Sequence, residues 1–308
     1  MPSFVDLPYR HEHDWAAVRD LVLHAQIAAR TDRWPTTAEL RIMCHPARTD
    51  WIKHVWLDAT DHLRAFALLD RIHGSFWFWV HPPHMHHMVA LHIIPWALQQ
   101  RQGGAPEQRT VRCQVREDAV DTIALLCNEG FVPHDLCTLR MTRALDQPIP
   151  APVLPDGFSI RPLAGEQEVA AYVTLHTAAF GRAIVTEEEQ AARHVFMRDS
   201  SYIADLDLVV VAPNGAFAAF CVGQIDQEGN AQRAWQEGST DPIGTHPAFQ
   251  RQGLARAILL AALQRLRTYG IDTAILGTGS WNTATQRLCE SVGFETSYKV
   301  MWYTKTAT

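Results

Sequence analysis

Apolar and polar positions alternate along this chain with two periods, one helical and one extended, and the second half shows them most plainly. Residues 158–162 (Phe-Ser-Ile-Arg-Pro) read as a short strand, and 166–180 have helical spacing, with Val169, Tyr172, Val173 and Leu175 available to one face. Residues 206–212 and 216–224 are apolar, β-rich runs joined by Pro213-Asn214-Gly215. Asn-Gly between two such runs predicts a hairpin. A strand is expected over 235–245, then a Gly-containing loop, then a long helix over 253–269 stopped by Gly270. Residues 273–277 form a further strand, 282–291 a second helix stopped by Gly293, and 298–304 a last strand. The fold class is therefore mixed α/β, an antiparallel meander followed by a strand–loop–helix–strand unit.

The first half carries the same landmarks. Val80-His81-Pro82, Met85, Met88 and Ala90 stand at the spacings of Thr245-His246-Pro247, Gln250, Gly253 and Ala255, and Leu125 with Gly130-Phe131 mirrors Leu288 with Gly293-Phe294. Proline and Gly-Phe pair are 48 residues apart in one half and 46 in the other, which implies a duplication. Between the halves, Pro148, Pro150, Pro152 and Pro155 favour an extended connector that ends in a Pro-Asp-Gly turn. The expected organisation is a first domain over 1–147, a linker over 148–157 and a second domain over 158–308. A length of 308 residues suits two domains.

Composition excludes several partners. The net charge of −6 gives no electrostatic reason to expect nucleic acid or an anionic membrane. No apolar run approaches the ~20 residues that span a bilayer. The first residues lack the basic and apolar segments of a secretory signal. The six cysteines are scattered without a Cys-x-x-Cys pair and read as buried thiols in a reducing compartment, so a cytoplasmic location is expected. Thirteen of the sixteen histidines precede residue 135, and His81, His84, His86 and His87 are dense enough to ligate a metal. No carboxylate or cysteine completes an ordinary site, so loop surface is the preferred reading and no metal is expected. Phe76-Trp77-Phe78-Trp79-Val80 is most simply a buried strand, though it could also wall a pocket or an interface.

The densest chemistry lies in Thr245-His-Pro-Ala-Phe-Gln250-Arg-Gln-Gly253-Leu-Ala255-Arg256. Gly253 can adopt backbone angles closed to other residues. The amides of Arg251, Gln252, Gly253, Leu254, Ala255 and Arg256 can then converge at a helix N-terminus, where unpaired N–H groups and the helix dipole favour an anion. Ala255 is small, and two arginines add charge, so the loop suits a diphosphate. The bland alternative is a strand–turn–helix corner in which Gly253 merely makes the turn.

This segment resembles the GNAT superfamily of N-acetyltransferases, whose loop reads Gln/Arg-x-x-Gly-x-Gly/Ala at a helix start. Gln250, Gly253 and Ala255 match it. Asn282, Leu288-Cys289-Glu290 and Gly293-Phe294 match a second signature, with Cys289 in place of its usual tyrosine. The likeness covers about residues 158–305, while the first half matches in spacing alone. It implies two tandem GNAT-like domains, acetyl-CoA as co-substrate, and a bent sheet that splays beside the loop. The pantetheine arm would bond to the main chain at Ile243, Gly244 and Thr245, with Pro242 at a bulge or edge. Asn282 would sit near the thioester end. Helix capping is its alternative role, and the two are compatible.

Acyl transfer needs a free amine, and an unperturbed alkylamine has a pKa of ~10. A carboxylate can take the proton. On an extended strand Glu237, Ser239 and Asp241 face one way. Asp241, nearest the loop, is the first candidate base and Glu237 the second; each could instead be a solvated strand residue. A main-chain N–H near Thr245 would stabilise the oxygen of the tetrahedral intermediate. The thiolate of coenzyme A can leave unaided near neutral pH, since an ordinary alkyl thiol has a pKa of ~8.5. Losing the tyrosine is therefore compatible with catalysis. Tyr298, Tyr303 and His246 are weaker substitutes. In the first half, Met85 and Met88 replace Gln250 and Gly253, and Ala119 replaces Asn282. That half is expected to bind no cofactor. The expected activity is acetylation of a primary amine on a small molecule, with a peptide N-terminus as second acceptor choice. A non-catalytic acyl-CoA sensor is the rival.

Overall fold

The computed structural model describes residues 4–28, 34–85, 88–103, 105–182 and 186–307. Two units emerge from its contacts, Met1–Thr138 with Tyr298–Thr308, and Leu139–Ser297. The first half of the chain runs β1 (Val5–Pro8), α1 (His11–Ala28), α2 (Thr37–Cys44), β2 (Trp51–Leu57), β3 (Leu63–Asp70) and β4 (Ser75–Val80). A π-helical turn (Val89–Ile93) leads into α3 (Ile94–Gln99), and α4 (Pro106–Arg109), β5 (Thr110–Arg116), α5 (Val120–Asn128) and β6 (Val132–Ala144) follow. Strands β1 to β4 form an antiparallel meander. β4 pairs with β5 only at Ser75 and Phe76, then follows β3 alone as far as Val80. Its aromatic string is a buried strand: Phe76 and Val80 join the core around α3, and Trp77 and Trp79 face α1 and α2. Alternate residues pointing to opposite faces produce that division.

The second half repeats the plan with β7 (Ser159–Pro162), α6 (Val169–Ala179), α7 (Glu187–Arg198), β8 (Asp207–Val211), β9 (Phe217–Val222), β10 (Gln224–Ile225) and α8 (Gln227–Arg233). Then come β11 (Glu237–Ser239), β12 (Ile243–Thr245), α9 (Leu254–Thr268), β13 (Thr273–Gly279), α10 (Thr283–Ser291) and β14 (Glu295–Thr306). The hairpin expected at Asn214-Gly215 joins β8 to β9, with Gly215 at φ +82°. Val169, Tyr172, Val173 and Leu175 are all buried, as the helical spacing requires. The hydrophobic pattern does not announce α7 or α8. Thr186 and Glu189 cap α7 reciprocally, each side chain accepting from the other's backbone N–H.

A four-stranded antiparallel sheet, in the order β12-β9-β8-β7, is buried on both faces. Leu208, Val210, Ala219 and Cys221 pack with α9, while Val209, Phe220 and Val222 pack with α6. Helix α9 is the centre of this unit, with Ile258, Leu259, Leu260, Leu263 and Leu266 fully buried. Cutting any of these leucines to alanine would cost about 2–5 kcal/mol. Gly270 at φ +77° ends the chain's run beyond it.

The two halves do not keep their own last strands. Residues 300–306 of β14 pair antiparallel with β5 in the first unit. In the second unit the end of β6 lies beside β13, and Leu145 N donates to Asp272 O at 2.7 Å. Because the halves repeat one another, β5 and β13 offer equivalent edges, and each accepts the final strand of the other half. The units therefore part at Thr138 and Ser297. The sequence places the boundary instead in the proline-rich segment 148–157, which has no regular structure through residue 155. The repeat register itself holds in the fold. Met88 and Gly253 each immediately precede a helical segment, and Ala119 and Asn282 each occupy the N-cap of the helix after the next strand.

Candidate active site

The strand expected over 235–245 is two strands in two sheets. β11 pairs parallel with β13, and Thr240 N donates to Ile275 O at 3.0 Å. The chain then crosses to the other sheet, where Pro242 O accepts from Val222 N at 3.0 Å and β12 runs beside β9. Proline suits this crossing because it has no N–H to leave unpaired. β12 is the edge strand of its sheet, and a splay opens between it and β13. His246 N donates to Ala218 O at 2.9 Å. In an antiparallel ladder alternate residues bond to the partner, so Pro242, Gly244 and His246 face β9. Ile243 and Thr245 thus turn their N–H and C=O groups to the open edge. Gly244 is required by packing, since a Cβ there would stand 2.6 Å from the Phe220 ring and 2.9 Å from Ala179.

At the end of β12 a 3₁₀ turn (Pro247–Phe249) leads into the loop. Gln250 Nε2 reaches back to Thr245 O at 3.5 Å. The hydroxyl of Thr245 is buried without a hydrogen-bond partner, as is that of Thr240. Arg251 at φ +65° and Gly253 at φ +80° are both left-handed. Gly253 is the N-cap of α9 and offers no side chain to it, so the first N–H groups of the helix, those of Leu254, Ala255 and Arg256, point outward. A Cβ on Gly253 would meet nothing within 4 Å. The loop is thus an open concavity of amides at a positive helix end, with Arg251 and Gln252 exposed and Arg256 partly buried beside it. Such a nest takes an anion of phosphate type.

Asp241 stands where the strands part. Its surroundings include Arg140, the Gly277 N–H that donates to it, Cys221 and Cys289. Burial raises its pKa above the usual carboxylate range, and Arg140 and the Gly277 amide oppose that shift. The even spacing of Glu237, Ser239 and Asp241 along one strand does not survive, because the chain turns at Thr240. Glu237 remains on β11. Its neighbour Gly238 points at Leu266 of α9, so Glu237 and Ser239 face the opposite side of the sheet.

Cys289 is fully buried in the α9 core, and burial with Asp241 nearby pushes its thiol up to about 12. It is neutral and a poor proton donor at ordinary pH. Tyr303 belongs to the core of the first unit, and Tyr298 lies under the Arg116 guanidinium at 4.2 Å. His246 Nδ1 accepts from Ala248 N at 3.2 Å and so closes its own turn. Asn282 caps α10, its Oδ1 accepting from Thr285 N at 3.2 Å. Its neighbour Trp281 is exposed and lies over Gly279, where a Cβ would stand 2.5 Å from the indole. Neither Arg140 nor Gly277 was marked by the sequence. Arg140 sits on a strand that belongs by sequence to the other half.

The first unit differs at each of these points. Met88 has ordinary right-handed angles (φ −59°, ψ −28°) and is fully buried in the core, where Gly253 is left-handed and open. Met85 packs against the same core, and Ala119 offers no capping side chain. His86 and His87 lie outside the described residues. Among the described residues no group of three or more His, Cys, Asp or Glu side chains is arranged to hold a metal, and no helix is long and apolar enough to cross a membrane.

Residues 166–294 match the model of the acetyltransferase (GNAT) family. A mycothiol acetyltransferase of Thermobispora bispora is 32% identical over 165 residues, covering 50% of this chain and 52% of that protein. One of Pseudarthrobacter chlorophenolicus is 28% identical over 220 residues, covering 70% of this chain and 65% of that one. The matched region therefore spans between about half and two-thirds of these relatives. A tandem GNAT protein from the clavulanic acid biosynthesis pathway superposes with a TM-score of 0.75 at 15% identity, over 99% of both chains. A GCN5-related N-acetyltransferase from Sphaerobacter thermophilus gives 0.70 at 19% identity, over 99% of this chain and 96% of the other. The fold is that of two tandem GNAT-like domains.

Proposed function

We propose that the second unit transfers an acetyl group from acetyl-CoA to a primary amine on a small molecule. The observation that carries this reading is a left-handed Gly253 with open space above it, at one end of a splay that holds the Asp241 carboxyl. The residues fit the co-substrate. The amides from Arg251 to Arg256 hold its diphosphate, Gln250 braces the loop, and the edge groups of Ile243 and Thr245 bond its amide-bearing arm. Asn282, at the mouth of α10, lies toward the thioester end. Bound acetyl-CoA supplies an activated acyl group and a thiolate that departs with little help.

Asp241 takes the proton of the incoming amine. Its raised basicity suits that role and favours an enzyme over a passive acyl-CoA sensor. Glu237 is the second candidate. The outward N–H of Thr245 stabilises the charge that develops on the acyl oxygen. The first unit binds no acetyl-CoA, because Met88 fills the position of Gly253. The names of the relatives support a small molecule over a peptide N-terminus, and make the amine-bearing, unacetylated form of mycothiol the acceptor to try first. Free cysteines, five of the six buried, support a reducing, cytoplasmic location. The test is thiol release from acetyl-CoA across a panel of primary amines, with product masses recorded. Release that depends on an amine and adds an acetyl group to it is expected. Binding of acetyl-CoA with no amine-dependent release would favour the sensor.

A further inference from the structure

The last residues of β6 reach the cleft of the second unit. Leu139 begins that unit in sequence, and Arg140 is the next residue. Arg140 crosses directly over Gly277 on β13. A Cβ on Gly277 would stand 2.2 Å from Arg140 Nη1 and 3.5 Å from Asp241 Oδ2. Gly277 is therefore a glycine for space, since any side chain there would displace the guanidinium. The same residue's N–H donates to the Asp241 carboxyl. Guanidinium, amide and carboxyl thus meet at one point where β12 and β13 part. Cys221 and Cys289, both fully buried, stand beside the carboxyl, and Thr240 on the same stretch is buried with its hydroxyl unpartnered.

A carboxylate in such a place is strongly disfavoured unless an opposite charge compensates it. Arg140 is the cation that acts on Asp241. The groups that face Asp241 from the packed elements are Arg140 of β6, the thiols of β9 and α10, and the Gly277 amide of β13. Both thiols are pushed far up by burial and stay neutral. Arg140 therefore acts without a competing charge among these groups.

We infer that Arg140 is a positioning residue for the proposed acetyl transfer, holding the Asp241 carboxylate ionised and aimed into the cleft. It is supplied by the strand that the first half of the sequence lends to the second unit. The first half thereby contributes to the chemistry although it has a buried Met88 at the position of Gly253. This inference rests on the reading of Asp241 as base, and its experiment separates the two.

The experiment uses the full chain and the variants Arg140→Met, Arg140→Lys and Gly277→Ala. The first reading is kcat/KM for the amine against pH at saturating acetyl-CoA. The second is the carboxyl carbon resonance of labelled Asp241 titrated by NMR without acceptor, assigned with Asp241→Asn. Removing a cation beside a partly buried carboxylate moves its pKa up by about one to three units. In Arg140→Met the acid limb is expected to rise by that amount. Below both limbs the rate then falls about 10- to 1000-fold, and above them it returns to within a few-fold of wild type. Arg140→Lys should stay near wild type. Gly277→Ala, which pushes the guanidinium aside, should move the limb the same way, and serves if Arg140→Met does not fold. A uniform loss at all pH values with an unmoved limb would make the pair merely structural and overturn the inference. So would an unmoved Asp241 resonance in Arg140→Met. A resonance that moves while no amine is ever acetylated would leave the electrostatic role standing and sink the proposed function instead.

Discussion

Replacing Gly253 with glutamate places a side chain in the space where an anion must lie. At φ +80° and ψ 0° the position is left-handed, and any L residue there carries a backbone strain of about 1 kcal/mol. Against a domain stability of about 5–15 kcal/mol this is tolerable. No heavy atom lies within 4 Å of the added Cβ, so the new side chain forces no neighbour to move. The fold should survive. Binding should not, because the glutamate carboxylate would occupy the nest and repel a diphosphate. Two or three charge-assisted hydrogen bonds from the loop amides, at about 1.5–3 kcal/mol each, are lost. A deficit of at least about 3 kcal/mol corresponds to a Kd raised at least about 100-fold. Titration calorimetry with acetyl-CoA measures this directly, and thermal melting of the same sample checks the fold. Gly253→Ala separates strain from occlusion and should weaken binding far less. A folded Gly253→Glu protein that binds acetyl-CoA as tightly as wild type would refute the assignment of the loop.

Asp241→Asn should lower turnover by about 10²- to 10⁴-fold while leaving acetyl-CoA affinity nearly intact, with partial recovery at high pH as the amine loses its proton in solution. Unchanged turnover would move the role to Glu237. In the wild type, the base must be ionised, so kcat/KM should rise with pH through a pKa above the usual carboxylate range; an acid limb near pH 4 would contradict the raised Asp241. Leu263→Ala, at the middle of α9, should cost about 2–5 kcal/mol in chemical denaturation, and a loss under 1 kcal/mol would mean the α9 core is looser than its burial implies.

The pattern of apolar positions carried most of the second unit's elements and the repeat. Helix α9, the Asn-Gly hairpin and the N-cap position of Asn282 follow from local rules about caps and turns, so a sequence displays them. The turn at the start of α9 was legible for the same reason, since Gly253 acts through its own backbone angles. What the sequence hid depends on distant pairing. Nothing local says that β6 runs beside β13 or that β14 runs beside β5, and the placement of Arg140 at Asp241 follows from that exchange alone. The division of 235–245 into β11 and β12 is hidden likewise, because an unbroken extended run and one that changes sheets at Thr240 have similar composition. The capping box of Thr186 and Glu189 was present in the sequence, yet three successive glutamates in the first turn of α7 masked the helix's apolar face.

We propose that this chain has one acetyl-CoA site, in the second unit. Crystals grown with excess acetyl-CoA test it most directly. A single molecule per chain is expected, with its diphosphate on the amides from Arg251 to Arg256 and its thioester beside Asp241. Calorimetry on the same protein should give a stoichiometry near one. The first unit has a buried, right-handed Met88 where the second has an open, left-handed Gly253. Ordered cofactor at Met85 and Met88, or two molecules bound per chain, would contradict the claim.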